Sequence, residues 1–122
     1  MKGLVVDDSA VMRKILKDAL FKAGITDVGE AADGREAVEA AMSEDYDIVL
    51  MDFNMPEMSG LDAVKEIRGG GKQVPIIMVT TEGEKSRIID ALKAGADNYI
   101  VKPFKPEHIA QKIRDSLQKN SK

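Results

Sequence analysis

Ile48-Val49-Leu50-Met51-Asp52-Phe53-Asn54-Met55-Pro56 carries four apolar residues straight into an acid and then into a proline-marked turn. An unbroken apolar run of this length, closed by turn chemistry, is the pattern of a strand buried on both faces, as in a parallel sheet with helices above and below. Such a strand delivers Asp52 to its carboxyl end, where open parallel sheets do their chemistry. A single Asp at that point serves equally well as a turn former or a helix cap. Its meaning depends on what the other strands bring beside it.

Working outward, Gly3 to Val6 is a second apolar run and ends at Asp7-Asp8. Ile76 to Val79 ends at Thr80-Thr81-Glu82-Gly83, and Asn98 to Val101 ends at Lys102-Pro103-Phe104. Val28 to Ala31 is weaker, because Gly29 and Glu30 interrupt it, as expected of an edge strand. Helical stripes separate these runs. Ser9 reads as the N-cap of Met12, Ile15, Leu16, Ala19, Leu20 and Ala23, a stripe stopped by Gly24. Asp33-Gly34 reads as a turn before Ala37, Val38, Ala41 and Met42. Leu61, Val64, Lys65 and Ile67 suggest a third helix ended by Gly69-Gly70-Gly71, and Glu84 to Ala94 a fourth closed by Gly95. Pro106 opens the last, which carries Ile109, Ile113 and Leu117 at spacing four.

Five strands alternating with five helices, joined by right-handed crossovers, predict a three-layer flavodoxin-like (βα)5 α/β domain on a parallel sheet. The polar second strand belongs at an edge, which selects the order 2-1-3-4-5. At 122 residues the chain is expected to be a single domain, 1–122. A net charge of −3 offers no general attraction for nucleic acid. The absence of cysteine excludes disulfides, thiolate metal sites and cysteine nucleophiles. With neither a signal peptide nor an apolar run long enough to span a membrane, the expected location is cytoplasmic.

In the predicted order the adjacent strand ends carry Asp7-Asp8, Asp52, Thr80 and Lys102. Carboxylates gathered so closely cannot all ionise comfortably without a cation among them. Mg2+, which takes few protein carboxylates and shares its other positions with water and phosphate, suits a shallow rim. Lys102 adds a point charge for a phosphoryl oxygen and Thr80 a hydroxyl donor. Asp52 is then a candidate nucleophile, since a carboxylate can form an acyl phosphate. The three glycines at 69–71 follow a helix and precede a strand, the wrong context for a phosphate-cradling loop.

Val5-Val6-Asp7-Asp8-Ser9, Met51-Asp52-Phe53-Asn54-Met55-Pro56, Gly60, Val79-Thr80-Thr81, Gly95-Ala96 and Lys102-Pro103-Phe104 together resemble a response-regulator receiver domain over the whole chain. Within that family the resemblance is to the stand-alone chemotaxis receivers, which lack an output domain. It implies a phosphorylation-activated switch of a two-component system, not a turnover enzyme. Asp52 would accept a phosphoryl group from a sensor histidine kinase (CheA-like). Asp8, Asp52 and the main-chain carbonyl of Asn54 would ligate Mg2+, with Asp7 acting through water. Thr80 and Lys102 would bind the phosphoryl oxygens, and Thr80 and Tyr99 would move in the switch. Asn54 and Glu82 would bear on the attacking water and so on dephosphorylation. Lys85, Ile88, Tyr99, Val101 and Lys112 would form the face for a flagellar motor switch protein (FliM-like), with a phosphatase as a further partner of a monomeric protein. The Lys102-Pro103 bond would be cis.

Other classes fit less well. A haloacid-dehalogenase-type phosphatase also uses a strand-end Asp and Mg2+, but wants a second acid two residues on, where this chain has Asn54. A nucleotide or flavin carrier should present glycines or hydroxyls at its first turn, whereas Asp7-Asp8 repels an anion. A phosphorelay intermediate keeps the fold and the site; Asn54, Glu82 and Tyr99 favour the motor-signalling alternative.

Overall fold

In the computed structural model, which describes residues 1–53, 55, 57–81 and 85–120, the apolar runs form the strands expected of them. In chain order the elements are β1 (Lys2–Val6), α1 (Ala10–Lys22), β2 (Asp27–Ala31), α2 (Gly34–Ser43), β3 (Ile48–Asp52), α3 (Gly60–Gly69), β4 (Ile76–Thr81), α4 (Lys85–Ala94), β5 (Asn98–Lys102) and α5 (Pro106–Asn120). The sheet order is β2-β1-β3-β4-β5, and every neighbouring pair is parallel.

Successive strand residues point to opposite faces, so each central strand feeds two cores. Leu4, Val6, Val49, Met51, Ile76 and Met78 meet Ala37, Ala41, Ala63, Val64, Ile67, Ile88 and Ala91 from α2, α3 and α4. Val5, Ile48, Leu50, Ile77, Val79 and Ile100 meet Leu16, Ala19, Leu20, Ile109 and Ile113 from α1 and α5. All five residues of β3 are buried. With each fully buried aliphatic side chain contributing about 2 kcal/mol, β3 is the strand least free to shift, and Asp52 is its last residue.

The caps follow the sequence closely. Ser9 Oγ accepts the Met12 N–H, and Gly24 and Gly95 follow the ends of α1 and α4 with φ of 91° and 122°. At 33–34 the expected turn is instead a helix start. Asp33 Oδ1 accepts the Glu36 N–H at 2.9 Å, the N-cap bond, while Glu36 Oε1 reaches back to accept the Ala32 N–H one residue before the cap at 3.1 Å. In α3 the inward stripe is Gly60, Ala63, Val64 and Ile67. Lys65, one step round the helix from Val64, is exposed, which corrects its place in the predicted stripe. The Lys102–Pro103 bond is cis.

At the amino ends of the strands, remote from Asp52, Arg68 ties two loops together, the one between α3 and β4 and the one between α4 and β5. It donates to the Gly95 carbonyl from Nε and Nη2 at 3.0 and 2.8 Å, to the Lys72 carbonyl at 3.0 Å and to Asp97 Oδ2 at 3.0 Å. The same Asp97 oxygen accepts the Ile76 N–H at 2.8 Å. Arg68→Met strands these acceptors in a partly buried site, so it is expected to lower stability by about 2 kcal/mol. The urea midpoint measures this; an unchanged midpoint would mean the clamp contributes nothing.

Candidate functional site

β1, β3, β4 and β5 end side by side, and their last residues or immediate successors are the chemistry-bearing ones. Asp52 is level with Val79, and Thr80 with Val101, while Lys102 is level with Thr81. Asp7 continues β1 and donates its N–H to Ala31 at the end of β2 at 3.2 Å. Asp7, Asp52 and Thr80 are buried, whereas Asp8 is exposed at the rim. Asp7, Asp8 and Asp52 can each bring an oxygen within 4.8 Å of the others.

Lys102 reaches across β4 from two strand spacings away, about 10 Å, a span its four-carbon stem can bridge. Its Nζ donates to Asp52 Oδ1 at 3.2 Å and lies 3.7 Å from Asp7 Oδ2. The Thr80 hydroxyl donates to the Thr81 carbonyl over a long 3.4 Å.

One ammonium cannot neutralise three acids. Burial, with the charge of Asp7 added, pushes the Asp52 carboxyl up to about 6 against the pull of Lys102. Burial also raises Asp7, although its Oδ1 accepts the Ser9 N–H at 2.9 Å. Asp7 Oδ2 is buried with no hydrogen-bond partner among the described residues. An orphaned carboxylate oxygen beside two more acids is the donor set a hard, oxygen-seeking dication would satisfy, so the residues fit Mg2+.

Of the expected switch and partner-face residues, Tyr99, Val101 and Lys112 are half-buried on β5 and α5. Lys112 Nζ stands 5.0 Å from the centre of the Tyr99 ring and 3.3 Å from Asn98 Oδ1. The reading of Ile88 as a surface residue is corrected: it is only 5% exposed, while Ile89 is 57% and Leu92 40% exposed. Ile88 lies one turn before Ala91 on the inward stripe, so helical period turns the next residue outward. Asn54, Glu82 and the Lys85 side chain lie outside the described residues.

Two basic residues near the site escape the sequence reading. Arg13 Nη1 donates to the Asp7 carbonyl at 2.7 Å, and the Arg87 guanidinium stacks 4.7 Å from the centre of the buried Phe53 ring. Near a helix start both look like solvated charges. The one available signal was Glu30, an acid in β2 that asks for a cation. A cavity of about 370 Å³, lined by Met12, Ile15, Lys102, Pro103 and Phe104, opens beside the lysine.

Residues 4–114 match the response regulator receiver domain. The chain is 50% identical to chemotaxis protein CheY1 of Helicobacter pylori, over 98% of this chain and 99% of that one. It is 52% identical to a chemotaxis protein CheY homolog of Campylobacter jejuni, over 96% and 92%. Among solved structures, chemotaxis response regulator CheY4 of Vibrio cholerae superposes with a TM-score of 0.84 at 38% identity, covering 94% and 97%. A receiver domain of a Pseudomonas aeruginosa sensor histidine kinase, solved with magnesium coordinated in its active-site cleft, superposes with a TM-score of 0.85 at 32% identity, covering 96% and 97%. The chain belongs to the response regulator receiver family of two-component systems, in its CheY-like chemotaxis branch. Receiver domains bind Mg2+ at an acidic cluster, and this chain groups Asp7, Asp8 and Asp52 in that way. No helix among the described residues is long and apolar enough to cross a membrane.

Proposed function

We propose that this chain is a cytoplasmic switch in which Asp52 takes a phosphoryl group from a phosphohistidine of a CheA-like sensor kinase. The observation that carries this reading is a nearly buried carboxylate held 3.2 Å from a lysine ammonium and crowded by an acid whose second oxygen has no hydrogen-bond partner among the described residues. Asp7, Asp8 and Asp52, with the main-chain carbonyl of Asn54, would hold Mg2+, which when bound supplies positive charge to the phosphoryl oxygens and to the crowded acids.

An oxygen of ionised Asp52 attacks phosphorus in line, the N–P bond breaks, and the electron pair returns to the imidazole, leaving an acyl phosphate on Asp52. Lys102, already bonded to Asp52, shifts to a phosphoryl oxygen and carries its charge. The Thr80 hydroxyl exchanges its long bond to Thr81 for a second phosphoryl oxygen, which draws the end of β4 toward the site. The consequence is felt on the face of α4, β5 and α5, where Tyr99, Val101, Lys112 and the exposed Ile89 would meet a FliM-like motor-switch protein. Water later hydrolyses the acyl phosphate, with Asn54 and Glu82 bearing on its rate.

The test is intact mass after brief exposure to acetyl phosphate. A single phosphoryl adduct is expected on the wild type with Mg2+, and none on Asp52→Asn or without the metal. Failure to form the adduct, together with failure to bind a beryllofluoride mimic, would leave a binding module without receiver chemistry.

A further inference from the structure

β2 contributes nothing to the chemistry above, yet the end of this edge strand is tied to Asp7 both directly and through Arg13. The Asp7 N–H donates to Ala31 at 3.2 Å, and the Asp7 carbonyl accepts Arg13 Nη1 at 2.7 Å. Arg13 Nε donates to Glu30 Oε1 at 2.9 Å, and Lys17 Nζ holds Glu30 Oε2 at 3.2 Å. The guanidinium therefore bridges two elements, with one arm on the main chain of Asp7 and the other on the strand beside it. Its side chain is 19% exposed and faces a small open cavity of about 140 Å³ lined also by Glu30, Ala31, Ala32 and Glu36.

We propose that Arg13 is a positioning residue for the acid cluster: braced by Glu30, it fixes the main chain of Asp7 and so the height at which Asp7 and Asp8 present their oxygens to Mg2+. This rests on the Mg2+ reading of the site given above. A planar fork with donors on separate nitrogens can serve a carbonyl and a carboxylate at once, whereas an ammonium is a point charge without that fixed geometry. The sign of the effect separates this role from mere proximity. As a nearby charge, Arg13 repels a dication, so its removal would tighten Mg2+ binding. As a brace, its removal loosens the ligand loop and weakens binding, as loss of outer-shell partners does by about 10- to 100-fold.

The experiment is calorimetric titration of Mg2+ into the wild type, Arg13→Met, Arg13→Lys, Glu30→Gln and the Arg13→Met/Glu30→Gln double variant. Urea midpoints without Mg2+ are measured alongside. Arg13→Met is expected to bind Mg2+ about tenfold more weakly despite the lost positive charge, and Arg13→Lys to bind more weakly than wild type. The double variant should be no worse than Arg13→Met, because both changes break one brace. Should Arg13→Met fail to fold, Arg13→Lys and Glu30→Gln still report on the brace. Mg2+ affinity equal to or above wild type in Arg13→Met or Arg13→Lys, or losses that add in the double variant, would overturn the proposal. A wild type that binds no Mg2+ would overturn the receiver reading itself, in an arm that involves no change at Arg13.

Discussion

Asp52→Asn is expected to make the Mg2+-free protein more stable at pH 7.5 by on the order of 2 kcal/mol, even though it removes the proposed phosphoryl acceptor. The physical reason is crowding. Asp52 titrates at about 6 in the fold, against an ordinary 3.8, chiefly through burial and then through the charge of Asp7. A carboxyl whose folded value is raised binds its proton more tightly in the native state. Its contribution is therefore neutral below about pH 4, and stability falls as pH climbs between about 4 and 6. Above that window the cost is complete. At about 1.4 kcal/mol per pH unit the rise corresponds to an upper figure near 3 kcal/mol, which already includes the opposing pull of Lys102, and an amide in place of the neutral acid recovers part of it. The advantage of Asn should vanish at pH 4, where both proteins carry a neutral group. Millimolar Mg2+ should stabilise the wild type selectively and narrow the gap, since a ligand for the native state adds stability by mass action. Urea midpoints at pH 4 and 7.5, with and without Mg2+, measure all of this. Equal or lower midpoints for Asp52→Asn at pH 7.5 without metal would show that the acids are not crowded.

Gly60→Ala should act in the opposite direction, lowering stability by about 3 kcal/mol and slowing phosphorylation of Asp52. Gly60 opens α3, and its N–H donates to the Phe53 carbonyl at 2.9 Å. A Cβ there would sit 2.4 Å from the Asp52 carbonyl oxygen, 2.8 Å from Met78 Cε and 3.1 Å from Phe53 Cα. The methionine tip can move aside, but the backbone at the end of fully buried β3 cannot move without disturbing the sheet. The first turn of α3 must therefore shift, and Asp52 with it. Urea unfolding and the rate of adduct formation from acetyl phosphate report the two losses separately. A variant matching wild type in both would mean that the turn yields at no cost.

The strands were legible because their signal is local. Three or four apolar residues in succession, ending in an acid, a hydroxyl or a lysine, require both faces covered and a carboxyl end at the sheet's rim. Glu30 in β2 is enough to send that strand to the edge. The helix starts at Ser9 and Pro106 and the glycines after α1 and α4 are equally local, each a question of a few adjacent dihedrals and hydrogen bonds. Asp33 was misread as part of a turn because an acid followed by glycine has the same chemistry in either role. The Glu36 carboxyl, reaching back to the Ala32 N–H, decides between them. Ile88 and Ile89 were indistinguishable for a related reason: both are apolar, and only the rotation of α4 against the sheet buries one of them.

By itself, then, the sequence determined the number, kind and order of the elements and which acids, hydroxyl and lysine stand at the strand ends, because those depend on patterns a few residues long. Only the tertiary structure decided how these groups meet. The 3.2 Å bond from Lys102 to Asp52 and the orphaned oxygen of Asp7 depend on the relative heights of different strands. So do the bracing of Asp7 by Arg13 and Glu30 and the close seat of Gly60 on the Asp52 carbonyl. Those heights are set by the packing of two cores at once, a sum over the whole chain that no short stretch of it contains.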